Sequence, residues 1–182
     1  MPTQLQTTTA YAIDAVHSSA EFAVKHMMIA TVRGRFRAIG GTIAFDEQDP
    51  ARASVEAVIE TATIDTGVEA RDADLRSANF FDAERFPAIR FVSTRVERRG
   101  ADHWSVSGEL TIRDVTRPVV LDAELEGRGK GFQGEDRIGF TATATLNRKD
   151  FGLTYNAVLE TGGMVVSDTV KVTLHLEAVA AQ

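Results

Sequence analysis

The residues of this sequence that are best suited to acid–base or metal chemistry are its four histidines, and they are widely separated. They are His17, His26, His103 and His175. No two of them have the close spacing that would present a pair of ligands on one face of a strand or helix. We therefore predict no metal site. The alternative that we keep open is that His17 or His26 meets a carboxylate in the folded chain and forms an acid–base pair.

Signals for nucleophilic or phosphate chemistry are weak. The chain has no cysteine, which rules out disulfides, thiolate metal sites and a cysteine nucleophile, and it has no Gly-x-Ser-x-Gly motif. The glycine-rich residues 127–131 lack the Lys-Ser/Thr ending of a phosphate-binding loop, so a hairpin loop is the better interpretation. Residues 150–152 (DFG) match a kinase tripeptide without any other kinase motif. The sequence therefore predicts a protein that is not an enzyme and needs no cofactor.

The composition is that of a soluble globular protein. Of the 182 residues, 43% are hydrophobic and 25% are charged, and the net charge is −6. This length suits one barrel or sandwich, so we predict a single domain over residues 1–182. The negative charge argues against nucleic acid or an anionic membrane surface as a partner, and the scattered basic residues also argue against nucleic acid. No apolar run approaches the roughly 20 residues of a membrane span, so we predict no integral membrane association.

The first ten residues have neither the basic start nor the apolar stretch of an export signal. We expect residues 1–10 to be flexible. The protein is expected to be cytoplasmic, and the absence of cysteine fits a reducing compartment.

Alternation of apolar and polar residues, the pattern of a half-buried strand, dominates the chain. In residues 140–146, for example, Phe, Ala, Ala and Leu alternate with threonines, and Gly40-Gly41 and Asp49-Pro50 are typical turn residues. About eight or nine such strands at short spacing favour an antiparallel barrel or sandwich over βαβ units. We expect strands near residues 20–25, 32–39, 42–46, 54–64, 89–96, 106–113, 119–126, 140–146 and 170–177.

Two stretches depart from this alternation. Residues 69–86 are charged and loosely helical, with Leu75, Phe80 and Phe81 on a possible inner stripe, and Pro87 follows. They are predicted to form a short helical excursion. Residues 26–29 (HMMI) are predicted to form a second helical turn between the first two strands.

The aromatic residues suggest a hydrophobic interior with space in it. The chain has ten phenylalanines, and several of them lie on predicted strands. A barrel of about eight strands is just wide enough either to be filled by side chains or to hold one small ligand. Small residues at inward positions beside aromatic rings favour a cavity. These small residues are Gly34, Gly108, Ala123, Ala142 and Ala144.

A family resemblance extends over residues 11–178. It is carried by several motifs in a fixed order, each of which would be weak alone. They are residues 17–26 (HSSAEFAVKH) with 32–36 (VRGRF), residues 71–82 (RDADLRSANFFD) with 86–91 (FPAIRF), residues 108–112 (GELTI) with 116–119 (TRPV), residues 148–153 (RKDFGL), and residues 166–170 (VSDTV). Together they resemble the YceI-like proteins.

This resemblance implies an all-β, lipocalin-like, eight-stranded antiparallel barrel that binds polyisoprenoids or similar long-chain lipids. Many relatives are periplasmic, and relatives are often dimers. Exposed strand edges near the termini also favour a homodimer. The chain departs from the family at Asp74, where a histidine is usual, and at Asp114, where a glycine is usual. If that histidine contacts a head group, the ligand of this chain differs.

Our leading hypothesis is a non-catalytic carrier of an isoprenoid lipid, either a polyprenyl phosphate or an isoprenoid quinone. Apolar side chains would hold the lipid, and cationic or imidazole groups near the barrel mouth would face its head group. The alternatives are an enzyme on a lipid-like substrate and a filled barrel that acts as a stress-related interaction module. The predicted ligand-binding residues are Phe22, Phe36, Leu75, Phe81, Phe91, Leu110, Leu121, Phe140, Arg71, Arg76, His17 and His26.

Overall fold

Eleven strands and one short α-helix build the fold, as a computed structural model of residues 8–156 and 165–181 shows. Residues 1–7, part of the segment expected to be flexible, lie outside the described residues, and Thr9 and Ala10 belong to the first strand. Three 3₁₀ helices cover Pro50–Arg52, Thr61–Thr63 and Arg148–Phe151. The other elements are β1 (Thr9–Ile13), β2 (Ser19–His26), β3 (Ala30–Phe36), β4 (Ile39–Phe45), β5 (Ser54–Glu60), β6 (Ile64–Asp65), α1 (Glu69–Arg76), β7 (Ala88–Arg98), β8 (His103–Ile112), β9 (Val115–Lys130), β10 (Asp136–Asn147) and β11 (Val166–Ala180).

The sheet closes on itself. Its hydrogen-bonded order is β1-β4-β5-β7-β8-β9-β10-β11, and β11 pairs again with β1. Every pairing is antiparallel. The remaining strands β2, β3 and β6 continue the lines of β1, β4 and β5 at one end, because β11 pairs with β2, β2 with β3, and β3 with β6. The result is a closed eight-stranded antiparallel barrel, which confirms the predicted fold.

Two predicted strands are interrupted by a local hydrogen-bond cluster around Thr63. Between β3 and β4, Arg37 N donates to Thr63 O at 3.3 Å and Ala38 N donates to Thr63 Oγ1 at 3.2 Å. The Thr63 hydroxyl in turn donates to Glu60 O at 2.7 Å. A threonine side chain that bonds nearby backbone groups competes with the strand ladder. The strands predicted over 32–39 and 54–64 are therefore each broken once.

The predicted alternation is confirmed on β10. Ile138, Phe140 and Ala142 are buried, whereas Thr143 and Thr145 are exposed. Side chains on a strand point alternately to its two faces, so the apolar set fills the barrel interior.

The helical excursion is shorter than the prediction of residues 69–86. Helix α1 ends at Arg76, where the Ser77 hydroxyl donates to Asp74 O at 2.5 Å and Ser77 itself is extended. A run of turns follows, in which Asp82 N donates to Ser77 O at 2.9 Å. In residues 8–156 and 165–181 no helix has the length and apolar character needed to cross a bilayer.

The helical turn predicted at residues 26–29 is wrong. These residues form the tight turn between β2 and β3, in which Ile29 N donates to His26 O at 3.2 Å. Met27 and Met28 both have positive φ, at 52° and 63°. Two consecutive left-handed residues cannot continue a right-handed helix, and they match the twist of a hairpin instead.

The strand edges that favoured a homodimer are paired in the barrel. Residues Tyr11, Ala12 and Ile13 of β1 pair with Ala180, Val179 and Ala178 of β11, and the other edge of β1 pairs with β4. The terminal strands therefore offer no free edge over these residues. The homodimer remains a prediction, but free strand edges at the termini no longer support it.

Two of the inward glycines are covered by aromatic rings and leave no open space. A Cβ at Gly34 would lie 2.3 Å from the Phe22 ring, and one at Gly108 would lie 2.5 Å from the Phe91 ring and from the carbonyl oxygen of Val92. The interpretation of Gly34 and Gly108 as empty volume is thus wrong, because neighbouring phenylalanines fold over them.

Gly108→Ala is expected to lower the free energy of unfolding by about 1–3 kcal/mol, because the new methyl group collides with the backbone oxygen of Val92. Urea unfolding measures the change. Gly127→Ala is the control: nothing lies within 4 Å of a Cβ there, and we expect a change within about 0.5 kcal/mol. Equal effects of the two substitutions would contradict this account of Gly108.

Candidate functional site

The barrel encloses an apolar cavity. The volume of this cavity is about 230 Å³. About 10–15 Å³ of such space is enough to hold one water, so the interior is far from filled. The walls come from β2 to β5, β7 to β11, α1 and the segments beside them, and only Glu21 and Arg148 among the lining residues are charged. Such a space favours a hydrocarbon ligand over a polar one.

Three aromatic rings form one end of the cavity. Phe45 lies edge-on to Trp104 and to Phe140, with ring centroids 5.3 Å apart in both pairs. Trp104 is 2% exposed and is the only tryptophan of the chain. Its indole Nε1–H is buried and has no hydrogen-bond partner in the described part of the chain.

The opposite part of the cavity is covered by α1 and the turns after it. Leu75, Phe80 and Phe81 line the cavity, so the inner stripe expected in this excursion is confirmed. The Phe81 ring lies edge-on to Phe36 at 5.5 Å, and Phe36 packs against Phe22 at 5.8 Å. The excursion therefore joins the aromatic wall of β2 and β3.

The structure divides the predicted ligand-binding residues into two groups. The apolar ones all line the cavity, whereas the cationic residues and the histidines are absent from its lining. The lining group is Phe22, Phe36, Leu75, Phe81, Phe91, Leu110, Leu121 and Phe140, and the other group is Arg71, Arg76, His17 and His26.

Arg71 stabilises the chain entry into α1 instead of facing the cavity. Its Nε donates to Thr66 Oγ1 at 2.8 Å and its Nη2 donates to Thr66 O at 3.0 Å. The buried Asp72 carboxylate accepts from both Thr66 N and Thr66 Oγ1. Arg76 is half-buried at the end of the helix. Arg71 was expected in a cationic cluster at the barrel mouth. Its hydrogen bonds place it instead in a network that stabilises the structure around Thr66.

The cation that does line the cavity is Arg148, the first residue of the RKDFGL motif. Arg148 begins the 3₁₀ helix Arg148–Phe151, and it is 5% exposed. Its guanidinium donates to the carbonyl oxygens of Leu153 at 2.7 Å, Tyr155 at 2.8 Å and Ser167 at 3.0 Å. Burial lowers its pKa, while Asp168 at 3.7 Å opposes that shift. Because backbone oxygens take its donors, Arg148 holds this end of the barrel together.

His17 lies in an exposed charge cluster away from the cavity. Its Nδ1 lies 2.8 Å from the Asp14 carboxylate, and Arg137 donates to Asp14 at 2.9 Å and to Glu177 at 2.8 Å. The Asp14 hydrogen bond raises the pKa of His17. The hydrogen bond from His17, aided by Arg137, lowers the pKa of Asp14 to about 2 against the cost of desolvation.

This cluster also has the composition of a cation site. Asp14, His17 and Glu177 offer ligand atoms within 4.8 Å of one another. Arg137 already supplies a positive charge to both carboxylates, so their charge is compensated by the protein itself. His26 ends β2 and is half-buried. In the described residues, then, neither His17 nor His26 forms an acid–base pair on the cavity wall.

Comparison with known proteins places this geometry in a family. The family model of the YceI-like domain matches residues 11–178. The chain belongs to the YceI-like family. A UPF0312 protein of Pectobacterium atrosepticum is 41% identical to this YceI-like chain over 138 residues, which are 76% of this chain and 71% of that protein.

Solved structures show the same fold. Burkholderia cenocepacia BcnA matches with a TM-score of 0.80 at 23% identity, over 91% of this chain and 98% of that chain. A polyisoprenoid-binding domain from Saccharophagus degradans, implicated in plant cell wall breakdown, matches with a TM-score of 0.70 at 18% identity, over 95% of this chain and 99% of that chain. At these identities the likeness shows the barrel shared by YceI-like proteins.

Asp14→Asn is expected to lower the pKa of His17 towards its ordinary value of 6.5, because the carboxylate that favours the imidazolium is removed. Titration of His17 by NMR measures this change in pKa. An unchanged His17 pKa would contradict the assigned pair.

The same pair makes stability depend on pH in two windows. The pKa of Asp14 in the folded protein is about 2, below its ordinary 3.8. Its contribution to the free energy of unfolding is therefore present above about pH 3.8 and is lost as pH falls towards 2. The folded pKa of His17 is raised, so its contribution is present below 6.5 and is lost as pH rises through the raised value. Asp14→Asn should flatten both slopes in a plot of urea midpoint against pH.

Proposed function

We propose that this chain is a carrier that binds a long isoprenoid-type lipid inside the barrel and does not transform it. The observation that carries the proposal is the unfilled cavity, whose lining among residues 8–156 and 165–181 has no charged side chain except those of Glu21 and Arg148. The Saccharophagus degradans domain with the same fold is named as polyisoprenoid-binding, which supports this ligand class.

The cavity favours a branched hydrocarbon chain. Its wall combines rings such as Phe22, Phe91 and Phe140 with the small side chains of Ala123 and Ala144. Rings beside alanines leave an irregular channel, which the methyl branches of an isoprenoid can occupy. Each buried methylene contributes about 0.8 kcal/mol, so affinity should rise with chain length until the cavity is full.

The polar end of the ligand has few partners inside the barrel. Arg148, the only cation that the described residues contribute to the lining, has its donors committed to backbone oxygens. The buried Trp104 Nε1–H, in contrast, has no partner in the described residues. A ligand carbonyl at that end would accept this hydrogen bond and remove a cost of about 1–3 kcal/mol. This observation favours an isoprenoid quinone over a polyprenyl phosphate, whose charge has no free cation on the wall.

The proposed passive role rests on where the acid–base groups lie. Asp14 and His17 form the clearest such pair, and their side chains are on the exposed cluster with Arg137 and not on the cavity wall. A substrate held in the barrel would be out of their reach. The enzyme alternative therefore has no described pair of groups to carry it.

Trp104 makes ligand entry directly measurable. Titrating the protein with a quinone that carries an isoprenoid tail should quench the fluorescence of this single tryptophan, because the ligand comes into contact with its ring. Quinones with longer tails should bind more tightly, and the effect should level off once the cavity is occupied.

Ala144→Phe should raise the quinone concentration that gives half-maximal quenching at least tenfold. Ala144 lines the cavity, and a ring at this position takes up the space of the ligand. Thr143→Phe is the matched control, since Thr143 neighbours Ala144 on β10 and its side chain is exposed. Thermal unfolding shows whether both variants are folded. Quenching that is equal in the two variants would place the ligand outside the barrel and contradict the proposal.

A further inference from the structure

The turn between β2 and β3 presents apolar side chains to solvent. Met28 is 63% exposed and Ile29 is 83% exposed, and Met27 beside them is 39% exposed. We name Met27, Met28 and Ile29 the hairpin tip. These three consecutive large apolar residues project from the end of a two-stranded ribbon, so they do not contribute to the barrel core.

The backbone of the hairpin tip favours other residue types. Both Met27 and Met28 have positive φ, and such turns prefer asparagine, aspartate or glycine. Methionine in the left-handed region is strained, and strain of this kind is concentrated at functional sites. Neither turn geometry nor burial among the described residues explains the methionines, and both observations are consistent with a contact made by the hairpin tip.

A cluster of cations lies beside the hairpin tip on the outer face of the sheet. Phe22 and Val24 of β2 point into the cavity, so Lys25 points outward. Lys171 of β11 pairs with Ala23, which pairs with Arg33 of β3, so these two cations flank β2 in one row. We name Lys25, Arg33 and Lys171 the basic row.

The basic row carries positive charge that no carboxylate of the described residues compensates. Its three side chains are exposed, and none has a carboxylate within 4.0 Å across residues 8–156 and 165–181. The three cations line a shallow groove together with Thr31, Thr169 and Thr173. The chain as a whole has a net charge of −6, so this row is a local exception to the overall sign.

The carboxylates of the groove lie on the side away from the hairpin tip. Glu21 pairs in register with Arg35 and lies 3.4 Å from His175, and Asp65 is bound by Arg37. Positive charge is therefore free near the tip and neutralised further along the strands.

We propose that the hairpin tip and the basic row form a docking site for the surface of an anionic phospholipid bilayer. Apolar side chains at the tip enter the acyl boundary, and the basic row meets the lipid phosphates. Stable attachment to a membrane surface usually needs two such signals, apolar insertion and a cationic patch. An acidic protein would match the basic row but would leave the exposed tip without a role.

Docking at this site would bring the barrel interior close to the bilayer. The same strand that ends at the hairpin tip forms a wall of the cavity through Phe22 and Val24. Met27 N also donates to Val165 O at 2.8 Å, next to the start of β11. The docking proposal goes beyond the proposed lipid binding and does not depend on it, because vesicle attachment and tryptophan quenching are measured separately.

The test is sedimentation of the full chain with vesicles of phosphatidylcholine alone and of phosphatidylcholine mixed with phosphatidylglycerol. We expect attachment to the mixed vesicles, weaker attachment to phosphatidylcholine, and loss of attachment as salt rises. Lys25→Glu/Lys171→Glu should weaken attachment more than fivefold per site, since each cation near an anionic surface contributes about fivefold. The control is Arg90→Glu/Arg117→Glu, which changes the net charge by the same amount on other strands. This control variant should still attach to the mixed vesicles.

The hairpin tip has its own matched control at the other end of the molecule. Phe132 lies in the turn between β9 and β10 and is fully exposed, but the nearby Lys130 and Arg128 are paired with Asp136 and Glu47. Met28→Ser/Ile29→Ser should abolish attachment while quenching by quinone persists, and Phe132→Ser should leave attachment unchanged.

Several results would overturn the docking proposal. They are no attachment of the wild-type chain to mixed vesicles, equal attachment of the hairpin tip and Phe132 variants, or binding to an acidic peptide without binding to vesicles. Circular dichroism of the serine variants and their retained quenching exclude unfolding as the cause of a loss.

Discussion

The closure of the sheet by β1 is the constraint on which the other features of this structure depend. This five-residue strand pairs with β4 on one edge and with β11 on the other, and it brings the two ends of the described chain together. Next to it, Asp14 N and the Ser18 hydroxyl donate to Glu177 O, and Arg137 joins Asp14 and Glu177 through their side chains. Backbone pairing and a charge cluster therefore both stabilise the junction at which β1 and β11 close the barrel.

Closure fixes the width of the interior, and the side chains decide how much of that width is filled. An eight-stranded barrel can be packed solid or can hold one ligand. Here the aromatic group of Phe45, Trp104 and Phe140 packs one end, while Ala123 and Ala142, which pair in register, line the wall with small side chains. The cavity thus depends in part on small residues that the strand register brings opposite one another.

The family resemblance, and not alternation, decided between a barrel and a sandwich. Alternation in the sequence was sufficient to predict most strands and the apolar residues on their inward faces, because a period of two specifies which side chains face inward. It could not show that Phe22 and Phe91 cover Gly34 and Gly108, because that depends on the register between strands. Nor could it place Arg148, whose partners are backbone oxygens that no side-chain pattern reveals. The turn at Met27 and Met28 was missed since it contains none of the residues that usually adopt positive φ.

The central claim is that the unfilled barrel holds an isoprenoid-type lipid. Native mass spectrometry of the protein purified from its own host without detergent tests it most directly. The account predicts a population that carries one added mass per chain, which collisional activation releases and lipid extraction identifies as an isoprenoid. A protein that reaches the detector only with the mass of the bare chain, from cells that contain such lipids, would contradict the claim.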